Sequence, residues 1–267
     1  MKTTDEDSAT AVYVGPKLYH LNYSEDVPEP RKSTETGMVV GATAGVHAKK
    51  LFGLSGLFQA NAEVSVANLV YEGTNQTGSV LVSGEGRHTF LNFELLGGPQ
   101  LHRFSSSSSL LGYTGLGRRY WARGSTGQSG DYEENYRWWY LPIGVRWSNA
   151  ISRHFTVDVD ASFHFNLGGS IDVHISQASQ SLADFTSTLG TAIGFRLELP
   201  MAYRVSKGFG IHFSPWFEYA AIGRGEWVPL KTNTGEQVVD GGSPLGMYEP
   251  ASRTLIYGAF ICPALYF

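Results

Sequence analysis

The chain has 267 residues, a net charge of −4 and only 16% charged residues. Soluble domains average about 25% charged residues, and the slightly acidic balance argues against nucleic-acid binding. No stretch approaches the ~20 consecutive apolar residues of a transmembrane helix, which excludes helical membrane proteins. The 32 glycines and the 13% of aromatic residues fit a transmembrane β-barrel, whose alternating residues average to mild hydropathy. The single cysteine, Cys262, excludes an intramolecular disulfide and a cysteine-based zinc site.

Residues 1–10 are predicted to be a periplasmic N-terminal tail, followed by one barrel domain over residues 11–267. The first seven residues are polar and lack the apolar h-region of a signal peptide. We therefore expect this chain to be the mature form of an exported protein, since a missing signal does not indicate a cytoplasmic one.

Apolar and polar residues alternate with a period of two along most of the chain, which is typical of half-buried β-strands. In segment 155–167 every odd-numbered residue is apolar, whereas the even-numbered residues are Thr, Asp, Ser, His and Asn. Segments 57–67, 191–201 and 211–219 repeat this design. The pattern predicts about ten strands, near residues 11–23, 37–49, 56–71, 87–102, 110–123, 136–149, 154–168, 188–204, 208–223 and 253–267.

The predicted connections alternate between short and long. Short ones lie near residues 50–55, 103–109, 150–153 and 205–207, and long ones near 24–36, 72–86, 124–135, 169–187 and 224–252. Outer-membrane barrels combine tight periplasmic turns with long surface loops, and an even strand count places both termini on the periplasmic side. The predicted fold is therefore all-β: a closed antiparallel transmembrane β-barrel of about ten strands.

A soluble barrel or sandwich also alternates, but its apolar face points into a core and its outer face normally carries Lys and Glu. Here the polar face holds mainly Asn, Gln, Ser, Thr and Gly with scattered charges, which suits an enclosed lumen. Aromatic residues near the predicted strand ends are interpreted as interfacial girdles; they are Tyr120, Trp121, Trp138, Trp139, Tyr140, Trp147, Trp227, Tyr266 and Phe267.

The last strand ends on Phe267, after alternate apolar residues at Tyr257, Ile261 and Leu265. This terminus resembles that of small bacterial outer-membrane barrels of the opacity and OmpA-like type. Pro263 departs from their common pattern and removes one ladder donor. The resemblance implies a location in the bacterial outer membrane, in contact with lipid and lipopolysaccharide. It also implies assembly by the barrel-insertion machinery, which would bind the strand ending at Phe267.

Ten charged or titratable residues are predicted to form a polar network on the lumenal face, together with His47 and Arg118. Side chains largely fill narrow barrels, and opposite charges inside must pair because an unpaired buried charge is costly. We therefore expect a mostly filled lumen with at most a thin water-filled path. The ten residues are Glu63, Glu94, Arg146, Asp158, Asp160, His164, Arg196, Glu198, His212 and Glu218.

Histidines and carboxylates on this face have the chemistry of metal ligands. His164 and His212 could bind a metal together with Asp158 or Glu218, but no spacing is diagnostic, so neither a metal nor a cofactor is expected. Ser162 and His164 have the residue types of a serine esterase. Such a site on a barrel would face the lipid, however, whereas this face is predicted to be lumenal.

The strongest enzymatic candidate lies in the predicted loop 169–187, which contains Asp172-Val173-His174. This element resembles the Asp-x-His pair of omptins, which are ten-stranded outer-membrane proteases, in type, spacing and approximate position. The resemblance implies that Asp172 orients His174 and that His174 activates a water molecule. Loop 72–86 contains no Asp, so the acidic pair that completes an omptin site is missing. The alternation through residues 171–175 instead favours a continuation of the preceding strand.

Arg118, Arg119 and Arg123 lie near the predicted outer rim. Their guanidinium groups have the chemistry to bind lipopolysaccharide phosphates. They have equally the chemistry to pair with the acidic residues of the next loop, Asp131, Glu133 and Glu134. The sequence does not choose between these alternatives.

The expected function is that of a structural, docking or narrow-channel barrel whose surface loops, such as 224–252, serve for binding. An envelope protein is the partner that a docking role implies. The alternative function is that of an omptin-like protease that uses Asp172 and His174.

Overall fold

A computed structural model describes residues 10–51, 54–74, 81–128 and 130–267. Seven long antiparallel strands follow one another as hydrogen-bonded neighbours from the N-terminus. They are β1 (Ala11–Glu25), β2 (Ser33–Leu51), β3 (Leu54–Thr74), β4 (Leu81–Arg103), β5 (Ser108–Arg123), β6 (Glu134–Ala150) and β7 (Phe155–Val173). A short 3-10 helix, Ile175–Gln177, follows β7.

The eighth position of the barrel is divided among three short strands, β8 (Phe185–Thr188), β9 (Ala192–Glu198) and β10 (Met201–Arg204). All three pair with β7, and β9 and β10 also pair with β11 (Phe209–Ile222). The last strand, β16 (Ser252–Tyr266), pairs with both β11 and β1. The sheet is therefore closed, and it has ten strand positions.

The connection between β11 and β16 contains two small hairpins. In the first, β12 (Val228–Pro229) pairs with β15 (Gly246–Met247), and in the second, β13 (Val239–Asp240) pairs with β14 (Ser243–Pro244). In the described part of the chain, no helix is long and apolar enough to cross a membrane.

The predicted fold class, a closed antiparallel barrel of about ten strands, is confirmed. Two predicted loops, 24–36 and 72–86, were wrong in extent because the strands beside them are longer than expected. β1 and β2 leave only residues 26–32 between them, while β3 and β4 pair as far as Thr74 and Leu81. Interior side chains near these ends, such as Glu35, are buried and keep the strands in the barrel. Of the predicted tail 1–10, only Thr10 lies within the described residues.

A bulge in β7 reverses the faces of that strand. Gly168 has a φ of +122°, a backbone conformation that glycine adopts without steric cost, and the pairing with β6 shifts by one residue at this point. Before the bulge even-numbered side chains such as Asp160 point inward, whereas after it Ile171 and Val173 are the buried ones. Because β7 continues to Val173, the predicted strand end at 168 was too early.

The outer surface of the barrel is apolar over the middle of every long strand. Val64, Leu91 and Phe163 are between 44% and 50% exposed although they are large and hydrophobic. A closed sheet leaves no unpaired backbone groups, and an apolar exterior replaces water contacts by lipid contacts. This is the architecture of bacterial outer-membrane barrels, and it agrees with the predicted location in the outer membrane.

Substitution of Val64, at the middle of β3, tests this exterior. We expect Val64→Arg to lower the free energy of unfolding from a lipid bilayer by about 2–4 kcal/mol, because it places a charge near the bilayer midplane. Val64→Ala, the matched control, removes apolar area without adding charge and should cost much less. Equilibrium unfolding from phospholipid vesicles by guanidinium measures both values, and equal losses would contradict a lipid-facing Val64.

Candidate functional site

The lumen of the barrel is the candidate functional site, and it contains all ten residues that were predicted to form a polar network. Their side chains point into the interior, nine of them around one cavity and Glu218 in the layer above it. Along the barrel axis the lumen has four zones: a periplasmic cavity, a layer of ion pairs, an apolar segment and an acidic cluster at the extracellular mouth.

The periplasmic cavity has a volume of about 470 Å³ and reaches the turns at the periplasmic end, where Ser107 and His154 line it. Its wall is polar and hydrogen-bonded. Arg146 donates to Asp160 over 2.5 Å, and Tyr113 donates to the same carboxylate. These contacts satisfy charges that are almost fully enclosed, as a buried charge requires.

Three ion pairs lie in the middle of the lumen, at the upper edge of this cavity. Lys17 Nζ lies 2.6 Å from Glu63, and Arg119 binds Glu218 with two hydrogen bonds. Arg196 lies 2.7 Å from Glu198 and 3.6 Å from Glu218. Because most of these groups are buried, each cation neutralises a carboxylate that lipid and protein keep from water.

The indole ring of Trp216 packs between two of these cations. Lys17 Nζ lies 4.5 Å from the ring centroid, and the guanidinium of Arg196 lies 4.6 Å from it. Cation–π contacts of this kind are stronger where water is excluded. Trp216 thus joins the ion-pair layer to the apolar segment above.

Two assignments from the sequence need correction in this layer. Arg118 was predicted to face the lumen, but its exposed guanidinium lies outside, 4.9 Å from the ring of Trp139. The neighbouring Arg119 is the lumenal residue, because the inward positions of β5 are odd-numbered. Sequence reasoning also missed Lys17, which occupies an inward position of β1 between Tyr13 and Leu21.

The extracellular half of the lumen is filled by apolar and aromatic side chains rather than by the predicted polar ones. Leu21, Leu69, Tyr136 and Ile171 are each 2% exposed or less, although they point into the barrel interior. A cavity of only about 90 Å³ remains among them. Since packed apolar residues leave no polar path, this segment closes the lumen towards the outside. The full cluster consists of Tyr19, Leu21, Tyr23, Val39, Ala67, Leu69, Trp121, Tyr136, Ile171, Val173, Ile175, Leu189 and Trp216.

The predicted aromatic girdles are therefore correct only in part. Trp139 and Trp147 are exposed on the outside, 40% and 46%, as interfacial residues should be. Trp121 and Tyr140 are instead buried in the lumen. Trp121 donates to His88 over 3.0 Å, and Tyr140 donates to Glu94 over 2.9 Å. Sequence position near a strand end does not reveal which face a residue occupies.

Arg123 organises the acidic cluster at the extracellular mouth. Its guanidinium lies 2.6 Å from Glu35, 2.6 Å from Glu134 and 3.2 Å from Glu25. Of the two roles considered for this arginine, pairing with the next loop region is the one that the geometry shows, because Glu134 follows that loop. Three carboxylates around one cation leave this mouth with excess negative charge.

Glu249, from the loop before β16, inserts into the same cluster. Tyr136 donates to its carboxyl over 2.8 Å and Tyr23 over 3.3 Å. Burial, together with the neighbouring carboxylates of Glu134 and Glu25, raises the pKa of Glu249 well above its usual range. The loop is therefore held to the barrel most firmly when this carboxyl is protonated.

Asp172 and His174 do not form the pair that the omptin resemblance implies. Asp172 follows the bulge and faces outward, where Arg137 and Thr186 donate to it. His174 Nδ1 lies 3.2 Å from Asp184, and its Nε2 lies 3.0 Å from the amide nitrogen of Asn135. Because an amide nitrogen only donates, Nε2 is the acceptor and is not available as a base.

The other candidate residues are engaged in the lumen. Ser162 Oγ lies 3.1 Å from His164 Nε2 in a buried position, far from any lipid-facing surface, which does not suit an esterase for lipid substrates. His212 Nε2 lies 2.8 Å from the hydroxyl of Tyr266. Within the described ranges, no three His, Cys, Asp or Glu residues come together as a metal-binding group.

Comparison with known proteins gives a similarity of fold. No protein-family model and no curated protein matches the chain. One solved structure similar to this chain is the outer membrane protein OprG from Pseudomonas aeruginosa. The two sequences are 12% identical, the alignment covers 97% of this chain and 96% of the OprG chain, and the TM-score is 0.37. The translocator domain of autotransporter NalP from Neisseria meningitidis has 11% identity, coverages of 96% and 89%, and a TM-score of 0.37. The toluene transporter TodX from Pseudomonas putida has 8% identity, coverages of 97% and 89%, and a TM-score of 0.34. Similarities of this size do not indicate a ligand or an activity.

The ion-pair layer is tested by two neighbouring arginines with opposite orientations. We expect Arg119→Met to lower the free energy of unfolding by about 3 kcal/mol, because it leaves the buried carboxylate of Glu218 with only one, more distant cation. Arg118→Met, on the outer face, should cost less than about 1 kcal/mol. The combined change Arg119→Met and Glu218→Gln should recover much of the loss. Guanidinium unfolding in lipid vesicles measures all three, and equal effects of both arginines would contradict the assignment.

Glu249 is expected to make stability depend on pH. A carboxyl whose pKa is raised by folding binds its proton more tightly in the folded state. Its contribution to stability therefore falls as pH rises from the usual glutamic acid pKa of about 4.3 through the raised folded-state value. Glu249→Gln mimics the protonated form, so the variant should become more stable than the wild type as pH rises.

The heat-induced unfolding temperature in detergent, followed from pH 4 to pH 9, measures this difference. Glu236→Gln, in the exposed part of the same loop, controls for the loss of one negative charge and should follow the wild-type profile. A constant difference between Glu249→Gln and the wild type at all pH values would show that Glu249 does not titrate in this range.

Proposed function

We propose that this outer-membrane barrel is a sealed, non-conducting protein that acts at its two ends, as a structural and docking element of the envelope. The observation that carries the proposal is the apolar segment of the lumen. Leu21, Trp121, Tyr136 and Ile171 meet there almost without solvent exposure. Ions crossing this segment would lose their hydration without gaining polar contacts, which is very unfavourable.

A narrow channel is the competing function, and the lumen offers it little support. The periplasmic cavity is polar, but the ion-pair layer closes it from above through Arg119, Arg196 and Glu218. Each of these charges is bound to a fixed partner rather than lining a continuous path. A permeant ion would have to break these pairs and then pass the apolar segment.

Two extracellular loops support a docking role because hydrogen bonds join them into one platform. The loop containing β12 to β15 is bound to the loop after β7 by backbone hydrogen bonds, from Ala183 to Lys231 over 2.9 Å and from Asn233 to Ser181 over 3.0 Å. Trp227 and Val239 on this platform are more than half exposed. Exposed apolar side chains on a rigid loop scaffold are common in protein-binding surfaces.

The omptin-like protease is not favoured by this geometry. Asp172 is turned away from His174, and the partner of His174 is Asp184. Hydrogen bonds from Ser176 lower the pKa of Asp184, which keeps it a carboxylate that can hold the His174 proton on Nδ1. The remaining nitrogen, Nε2, accepts from Asn135 instead of contacting a water or a substrate.

Planar-bilayer recordings test the sealed lumen. We expect no steady conductance from the wild-type barrel. The combined variant Leu21→Ala, Trp121→Ala and Tyr136→Ala removes the largest side chains of the apolar segment, so it should show discrete conductance steps if it remains folded.

The matched control truncates the outer face, with Leu91→Ala, Trp139→Ala and Phe163→Ala, and should stay silent. A gel shift between boiled and unboiled samples reports whether each variant is folded. Steady wild-type conductance equal to that of the lumen variant would overturn the proposal and establish a channel.

A further inference from the structure

The four turns at the periplasmic end are basic. They carry the cations Lys49, Lys50, Arg103, Arg153, Arg204 and Lys207, which we name the basic ring. Among the described residues of these turns, 49–51, 54–56, 102–109, 149–156 and 203–210, no Asp or Glu occurs. All other described carboxylate side chains lie in the lumen or at the extracellular end. This separation is marked in a chain whose net charge is −4.

Among the described residues, the cations of the basic ring have no carboxylate partners. In the described part of the chain, none of the six takes part in an ion pair. Five are exposed, and Arg204 is half-buried with its guanidinium 4.4 Å from the ring of Tyr266. At the extracellular end the exposed cations Lys32 and Arg253 are paired with Glu72 and Asp26, whereas Arg87 and Lys231 have no ion pair among the described residues. A ring of unpaired like charges attracts anions to this end of the barrel.

Three of the turns share one construction. Phe104, Ile151 and Val205 each donate a backbone hydrogen bond of 2.9 to 3.0 Å to the carbonyl four residues later, and the serine that follows each of them donates to the same carbonyl. The three apolar side chains are 55% to 61% exposed at the turn tips. Each has a cation of the basic ring within two residues. Each of these turns therefore carries an exposed apolar group and a cation close to it in the chain, at a spacing that differs from turn to turn.

The turns lie at the level of the membrane interface. Trp147 is exposed on the outer face of β6 and donates to Ser108 Oγ over 2.9 Å, at the start of β5. Exposed Trp residues of barrels lie at the boundary between hydrocarbon and headgroups. The strand ends three residues later, at Ala150, which places the following turn within about 10 Å of Trp147. This is the depth of lipid phosphates.

We propose that the basic ring binds the phosphate groups of anionic phospholipids in the periplasmic leaflet, with the apolar turn tips packed against the same lipids at the level of their headgroups. A cation next to an apolar group matches a lipid, which has a phosphate next to hydrocarbon, better than it matches a soluble anion. Each cation near an anionic membrane surface is attracted to it, and the attractions of several cations add. The ring would thereby fix the height and tilt of the barrel, whether or not the lumen conducts.

Native mass spectrometry of the full chain in detergent, with equal amounts of phosphatidylglycerol and phosphatidylcholine, tests this binding. We expect at least about threefold enrichment of bound phosphatidylglycerol over phosphatidylcholine. The variant Lys50→Gln, Arg103→Gln, Arg153→Gln and Lys207→Gln removes one cation from each turn and should abolish the enrichment. The control Lys32→Gln, Arg224→Gln, Lys231→Gln and Arg253→Gln removes the same charge from the extracellular end and should retain it.

A second arm separates lipid from soluble anion. Phe104→Ser, Ile151→Ser and Val205→Ser should lower the number of bound phosphatidylglycerol molecules, while excess glycerol phosphate should not displace them. All variants are compared only as folded barrels, judged by the gel shift. The proposal fails if the extracellular control loses the enrichment as the ring variant does, if the ring variant keeps it, or if glycerol phosphate displaces the lipid completely.

Discussion

The pairing of β16 with both β1 and β11 is the interaction on which the rest of the structure depends. Closure removes every unpaired strand edge, which a bilayer does not tolerate. It also leaves each side chain of the spanning strands only two environments, lipid or lumen. The period-two pattern sorts the residues between them, so Val64 and Leu91 face outward while Glu63 and Asn92 face inward.

Charged side chains that point into the closed lumen need partners of opposite charge there. Lys17, Arg119 and Arg196 each meet a carboxylate, and Trp216 packs against two of these cations. Above this layer the inward positions are apolar, and they pack as a protein core does. The two ends of this barrel differ in chemistry as well as in position.

The extracellular end is acidic and ordered, with Arg123 holding three carboxylates and Glu249 tying the last loop to the barrel. The periplasmic end is basic, with short turns that repeat one hydrogen-bonded design around Phe104, Ile151 and Val205. The two ends of the barrel that face opposite sides of the membrane therefore carry opposite charge. Between the two ends, packed side chains fill the extracellular half of the lumen.

The alternation of residues determined most of the fold, including the strand number and the interior placement of all ten predicted network residues. It did not determine where the pattern changes phase. Gly168 reverses the faces of β7, which turns Asp172 outward and Ile171 inward, and a one-residue error in β5 exchanged Arg118 for Arg119. Period two is so short that one inserted residue moves every following side chain to the other face.

Only the tertiary structure shows which side chains form ion pairs and hydrogen bonds inside the lumen. The sequence shows that Glu218, Arg119 and Arg196 are charged. Arg196 is the cross-strand partner of Glu218 on the adjoining strand, whereas Arg119 meets Glu218 from across the barrel, 99 residues away in the chain. The insertion of Glu249 beside Tyr23 and Tyr136 has the same origin. Closure brings residues from opposite ends of the chain into contact, and no local pattern records the register at which it occurs. The sequence by itself determined the class of barrel and its two faces, whereas closure and register decided which charges pair and that packed side chains fill the extracellular half of the lumen.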